Sequence, residues 1–168
     1  MAGPALTHAT IVIERAYEVP PDRIFAAFAD PGGRARSMVT SDDARLAYVA
    51  TDFRAGGHDI HHDGPEGERP YLVTTRYEDI VANRRIVSVE TVSRDDLRAS
   101  VSLITVEMVP VDPGSGAGTG ADGPAGTRLT LTHQIVTPHG DDWAGGVEEW
   151  WGLVLDRLPR AARDVTPA

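Results

Sequence analysis

The chain has no cysteine, which removes disulfides, thiolate nucleophiles and thiolate metal ligands from consideration and suits a reducing compartment. It is also short of positive charge: 16 Lys and Arg stand against 25 Asp and Glu, a net charge of −9. Such a field repels phosphate backbones and anionic headgroups, so nucleic acid is not an expected partner. No apolar run approaches the ~20 residues needed to cross a bilayer. The opening "MAGPALTHAT" lacks a basic stretch followed by an apolar one, so no secretion signal is read there. The expectation is a cytoplasmic protein without membrane insertion.

What is present is ordinary for a folded protein, with 41% apolar and 24% charged residues over 168 positions. A single domain of this length buries roughly 70% of the surface its unfolded chain exposes. That leaves room for a core, or for a core with a cavity inside it.

Alternation organises most of the chain. "TIVIERAY", Thr10 to Tyr17, sets Ile11, Ile13, Arg15 and Tyr17 against Thr10, Val12, Glu14 and Ala16, which predicts a strand. Pro20 and Pro21 end it. Pro21 and Asp22 suit a first helical turn, where a missing N–H costs nothing and a carboxylate meets the positive helix end. Ile24, Phe25 and Phe28 give that short helix its apolar stripe up to Asp30 and Pro31, and a second short helix is expected over about Gly33 to Val39.

The period then drops to two. Strands are predicted at Arg45 to Thr51, Gly57 to His62, Pro70 to Ile80, Arg85 to Val92, Ala99 to Val109 and Thr127 to Thr137. Six strands with no long helix between them imply hairpins, hence an antiparallel meander rather than a parallel nucleotide-binding sheet.

From about Asp141 to Arg163, Trp143, Val147, Trp150 or Trp151, Val154 and Leu158 recur at spacings of three, four and seven. This is the stripe of an amphipathic helix with Asp141 or Asp142 as N-cap. Gly145 and Gly146 weaken its first turns, a cost expected where backbone must approach something closely. Pro159 is expected to kink or end it. Only this helix is long enough to cover the apolar face of the sheet.

Three motifs invite chemistry and are declined on context. Gly118, Gly120 and Gly123 spell G-x-G-x-x-G within "VDPGSGAGTGADGPAG", Val111 to Gly126. No strand leads directly into it and no helix follows, so it reads as a flexible hairpin loop and not a dinucleotide cradle. In "HDIHHD", His58 to Asp63, His58 and His62 share one strand face while His61 and Asp63 share the other; three metal ligands would not converge, and a polar hairpin end is expected. No G-x-S-x-G elbow accompanies the serines and histidines. Neither a metal nor a cofactor is expected.

The order of elements, with "PPDRIFAAFADP" from Pro20, "FRAGG" from Phe53, "YEDIVANRRIV" from Tyr77, "SVSLITVE" from Ser100 and "GTRLTLTHQ" from Gly126, resembles the START-like (SRPBCC) superfamily. The similar branch is the one related to the C-terminal domain of the Hsp90 ATPase activator (AHSA1-like), and the resemblance spans about Ile11 to Leu158. It implies an α+β helix-grip fold: a curved antiparallel sheet of six to seven strands wrapped around a long C-terminal helix, with two short helices after the first strand. One domain over 10–163 is expected, with flexible ends at 1–9 and 164–168. The resemblance also implies a pocket between sheet and helix, which in different members takes lipids, hormones or polyketides. Ser37 and His133 depart from the tryptophan and glutamate that many relatives carry there.

Strand alternation nominates the pocket wall independently. Ser100, Ser102, Ile104, Val106 and Met108 share one face, as do Leu129, Leu131 and His133, and as do Val73, Thr75 and Tyr77. In the strand from Arg85, Ile86, Ser88 and Glu90 share a face, which places Glu90, Ser102 and His133 as a polar cluster in an apolar cavity. The opposite orientation turns Val87, Val89 and Thr91 inward and leaves Glu90 solvated; alternation leaves both open. Phe25, Phe28, Trp143, Val147, Trp150, Trp151 and Val154 complete the candidate lining from the helices. Adjacent helix positions point about 100° apart, so Trp150 and Trp151 cannot both face the cavity centre.

The sequence therefore predicts a non-catalytic binder of a small apolar molecule, a monomer or homodimer, with selectivity set by Glu90, His133 and Tyr77. The resemblance adds two alternatives: a module acting on an Hsp90-type chaperone, or a polyketide-cyclase-like enzyme with Glu90 and His133 as acid and base.

Overall fold

Alternating β-branched segments build one sheet, and two helical stretches plus a long terminal helix cover its concave face. The computed structural model describes residues 5–68, 70–111, 126–139 and 143–166. Its elements are β1 (Thr7–Tyr17), α1 (Pro21–Ala29), α2 (Pro31–Met38), β2 (Ala44–Ala50), β3 (His58–Pro65), β4 (Tyr71–Val81), β5 (Arg85–Arg94), β6 (Leu97–Val111), β7 (Gly126–Thr137) and α3 (Ala144–Arg163). This is the helix-grip arrangement. The expected loop over 111–126 falls, from 112 to 125, outside the described residues, as do the N-cap candidates Asp141 and Asp142.

The seven strands are ordered β1-β7-β6-β5-β4-β3-β2, every neighbouring pair antiparallel. β2 to β7 form the meander. β1 joins it at the far edge beside β7, and α1 and α2 carry the chain across from one edge to the other. β1 starts at Thr7, not Thr10, because β7 is long enough to pair with it, Thr7 opposite Thr137. The chain also packs beyond the end of α3: Val165 is buried and its carbonyl accepts a hydrogen bond from Arg23 Nη1 at 2.9 Å. Asp95 and Asp96 both take positive φ (51° and 64°), the conformation of a two-residue hairpin turn whose twist matches its strands.

α2 begins at Pro31, ahead of the expected Gly33, because Asp30 caps it: its carboxylate accepts from Gly33 N at 2.6 Å. Gly33 is required by packing, since a Cβ there would lie 2.6 Å from Ala27 O of α1. Gly145 and Gly146 show no such reason, because a Cβ at either meets nothing within 4 Å among the described residues. The close approach expected at these two glycines is not found.

Pro159 does not end α3, which runs on to Arg163. Proline removes the N–H that would bond the carbonyl four residues earlier, that of Leu155. That carbonyl accepts instead from the hydroxyl of buried Tyr17, at 2.9 Å. The helix survives because β1 supplies the missing donor. Beneath it Leu155, Leu158, Leu129 and Leu131 are completely buried. The main backbone neighbours of α3 are α1, α2 and β1, so it leans toward one side of the sheet.

Candidate functional site: a polar-walled cavity under the terminal helix

Cross-strand register fixes which side chains share the concave face. One row runs Asp59, Thr75, Glu90, Ser102, Ile135; the next runs Tyr77, Ser88, Ile104, His133, Ile11. Ile86, Ser88, Ile104 and Val106 are buried, so the strand from Arg85 turns Ile86, Ser88 and Glu90 inward, and the opposite orientation is excluded.

Where α3 leans away, a cavity of about 310 Å³ opens between β2 to β7, the end of α2 and the start of α3. Val73, Val92, Ile135, Trp143, Val147 and Trp150 give it apolar walls; Glu90, His61, Asp63, Ser100 and His133 give it polar ones. A smaller pocket of about 50 Å³ lies deeper, lined by Phe28, Thr75, Tyr77, Ser88, Ile104, Val106 and Trp151 among others. Met38, His61 and Glu90 line both spaces.

The deep pocket is closed by an ion pair that the sequence did not reveal. Arg34 and Asp59 are 4% and 2% exposed, and Arg34 Nη2 lies 2.7 Å from Asp59 Oδ2, close as charges although its N–H is not well aligned on the carboxylate. The rest of the pair is well bonded. Arg34 Nε donates to Tyr48 Oη at 3.1 Å and Nη1 to the carbonyls of Phe28 and Ala29. Asp59 accepts from Tyr77 Oη at 2.8 Å and from Asp52 N at 3.1 Å. Burial and the neighbouring Asp59 raise the pKa of the Tyr77 hydroxyl, which stays a donor, while Arg34 pulls the other way.

These contacts correct the reading of the His58–Asp63 run as a polar hairpin end. Asp59 and His61 are buried and point inward, opposite Thr75 and Val73. Among the described residues no three imidazoles or carboxylates gather as a metal ion would require.

Two groups set the electrostatics of the larger cavity. Burial pushes the Glu90 carboxyl up to about 7; His61 opposes this, Asp63 reinforces it, and Thr75 Oγ1 lies 3.4 Å from it. Burial alone takes His133 down to about 4. Trp151 Nε1 donates to His133 Nδ1 at 2.8 Å. An indole N–H only donates, so Nδ1 must present a lone pair and the imidazole proton sits on Nε2. His133 is thereby held neutral as a hydrogen-bond donor, which removes it as the base of an acid–base pair.

The candidate residues thus divide. Val73, Glu90, His133, Trp143, Val147 and Trp150 line the larger cavity; Phe28, Thr75, Tyr77, Ser88, Ile104, Val106 and Trp151 line the deeper one. Phe25 packs edge-on against Phe53, their centroids 5.7 Å apart, and lines neither space. Leu129, Leu131 and Val154 lie in the solid core under α3 and line neither. Ser102 is buried opposite Glu90, with no hydrogen-bond partner for its hydroxyl among the described residues, and is outside both linings. Trp150 and Trp151 do separate: Trp151 is buried at 4% exposure, while Trp150 forms cavity wall and meets it edge-on at 4.9 Å. Sequence reasoning missed Arg34, Tyr48, Asp59, His61 and Asp63. Alternation carried a signal for three of them: once Val73 and Thr75 are inward, His61 and Asp59 opposite them on β3 must be too, and Asp63 shares their face.

The sequence profile of the Activator of Hsp90 ATPase homolog 1-like protein family matches residues 18–117. No curated protein matches. A crystal structure of a Rhizobium loti protein is 33% identical with a TM-score of 0.76, covering 94% of this chain and 99% of that one. A Rhizobium leguminosarum protein is 25% identical with a TM-score of 0.77, covering 96% and 99%. An AHSA1-like protein of Aeromonas hydrophila, 21% identical with a TM-score of 0.64 and 92% coverage of both chains, shares the fold.

Proposed function

The chain belongs to the Activator of Hsp90 ATPase homolog 1-like family, and on that premise we propose that it binds or carries a small apolar molecule in the cavity under α3. One observation carries the reading: a space of about 310 Å³, mainly apolar with a few convergent polar groups, matches the lower end of the size range of small-molecule sites, roughly 300–1,000 Å³. A core of this size is otherwise close-packed, and apolar walls left to water lose the burial that a fitting apolar guest restores.

Native mass spectrometry and a thermal-shift screen with lipids and aromatic polyketides test it. At least one class should bind the unmodified protein and be lost on Val73→Phe, which fills the cavity from a wall position only 4% exposed. No shift with any apolar compound defeats the reading.

A second reading, an interaction module for an Hsp90-type chaperone, draws on the outer sheet face. Val12, Val101 and Leu103 are exposed there on β1 and β6, the two strands that flank β7, and apolar surface of this kind marks interaction sites when it is contiguous. An ATPase assay of a bacterial Hsp90 separates the two: turnover unchanged at micromolar protein removes the chaperone reading.

A further inference from the structure

We propose that the cavity selects uncharged molecules whose polar end is a carbonyl-type oxygen, received by the Nε2–H of His133; this rests on the ligand-binding reading above and names the chemistry of that ligand. The Trp151 indole occupies Nδ1 and assigns the proton to Nε2. His133 is 3% exposed and lines the cavity; its Nε2 is itself buried and has no hydrogen-bond partner among the described residues, so an oxygen reaches it by a small opening of the wall. A buried donor without an acceptor is costly, and restoring the bond recovers that cost.

The choice of an uncharged oxygen follows from the rest of the wall. Glu90 and Asp63 both line the cavity, and an anion brought beside these two acidic groups is desolvated with no cation to compensate it. Among the described residues the one buried arginine, Arg34, is engaged by Asp59, Tyr48 and backbone carbonyls in the deeper pocket. Arg45 lines the larger cavity, but its guanidinium is half-exposed and paired with Glu66. No free cation waits for an anionic head among the described residues of either lining.

Three probes of one ring system test this by calorimetry at neutral pH: methyl naphthyl ketone, its hydrocarbon isostere isopropenylnaphthalene, and naphthoate. The ketone should bind about tenfold tighter than the alkene, the usual effect of one buried hydrogen bond, and naphthoate more weakly than the ketone. In ¹⁵N-edited NMR of the unmodified protein, the His133 Nε2–H resonance should move downfield with the ketone and stay in place with the alkene. In His133→Phe, if it folds, ketone and alkene should bind alike; the NMR measurement decides the matter if it does not. Equal binding of ketone and alkene to the unmodified protein, or tightest binding of naphthoate, overturns this inference and leaves the cavity as a binding site. Failure of all three to bind overturns both.

Discussion

Glu90 and His133 are both held neutral by burial, but they respond to acid in opposite senses. The Glu90 carboxyl rises from 4.5 to about 7 on folding, so the stability it contributes in its neutral form is lost as pH climbs between those values. The His133 imidazole falls from 6.5 to about 4, so stability is lost as pH drops through that interval. The windows overlap and the slopes oppose. Each is worth roughly 3 kcal/mol in full, so the contributions of these two groups should nearly cancel from pH 4.5 to 6.5. Glu90→Gln removes one slope. Its urea-unfolding free energy should climb from pH 4 to 6.5 and exceed that of the parent above pH 7. Parallel curves for the two proteins mean that burial does not hold the Glu90 proton.

The orientation of Glu90 also shows what single residues conceal. In "RIVSVETV" the apolar residues divide evenly, Ile86 and Val92 against Val87 and Val89, because the concave wall is polar at Ser88 and Glu90. Hydrophobicity cannot identify a buried face that is built to be polar. Pairing with Ile104 and Val106 decides it, and that register depends on strands distant in sequence. Arg34 is opaque for the same reason: nothing local in "PGGRARSM" announces that its partner is Asp59 on β3.

At the level of elements, α3 holds together through β1. Proline inside a helix costs about 3 kcal/mol, and here the orphaned Leu155 carbonyl is satisfied by Tyr17, 138 residues away. Tyr17→Phe should therefore destabilise the protein by about 1–2 kcal/mol through an unsatisfied buried carbonyl. In a Pro159→Ala background the same change should cost much less, since the restored N–H satisfies Leu155. A double-mutant cycle by urea denaturation measures the difference, and equal costs in the two backgrounds refute the coupling. The helix itself was legible from the spacing of Trp143, Val147, Val154 and Leu158. Its passage through Pro159 was not, because the compensating donor lies on another element.

For the whole molecule, the order of strands and helices was readable because short connections permit few antiparallel arrangements. The cavity was expected only through the resemblance, since a void is the difference between two packed layers and leaves no mark of its own on the sequence. It arises where α3 settles on α1, α2 and β1, leaving the sheet near β3 to β5 less covered. A ligand confined to the folded state at a hundred times its Kd adds about 2.7 kcal/mol. For a chain of this length that should raise Tm by roughly 5–11 °C, and calorimetry across a concentration series should show the rise continuing with ligand. A Tm independent of ligand concentration contradicts binding confined to the native state.

All three tryptophans of the chain, Trp143, Trp150 and Trp151, border one or other of the two cavities. No indole elsewhere contributes background emission. Fluorescence excited at the tryptophan band therefore originates wholly from the walls of this space, and the protein carries its own optical gauge of whether anything has entered.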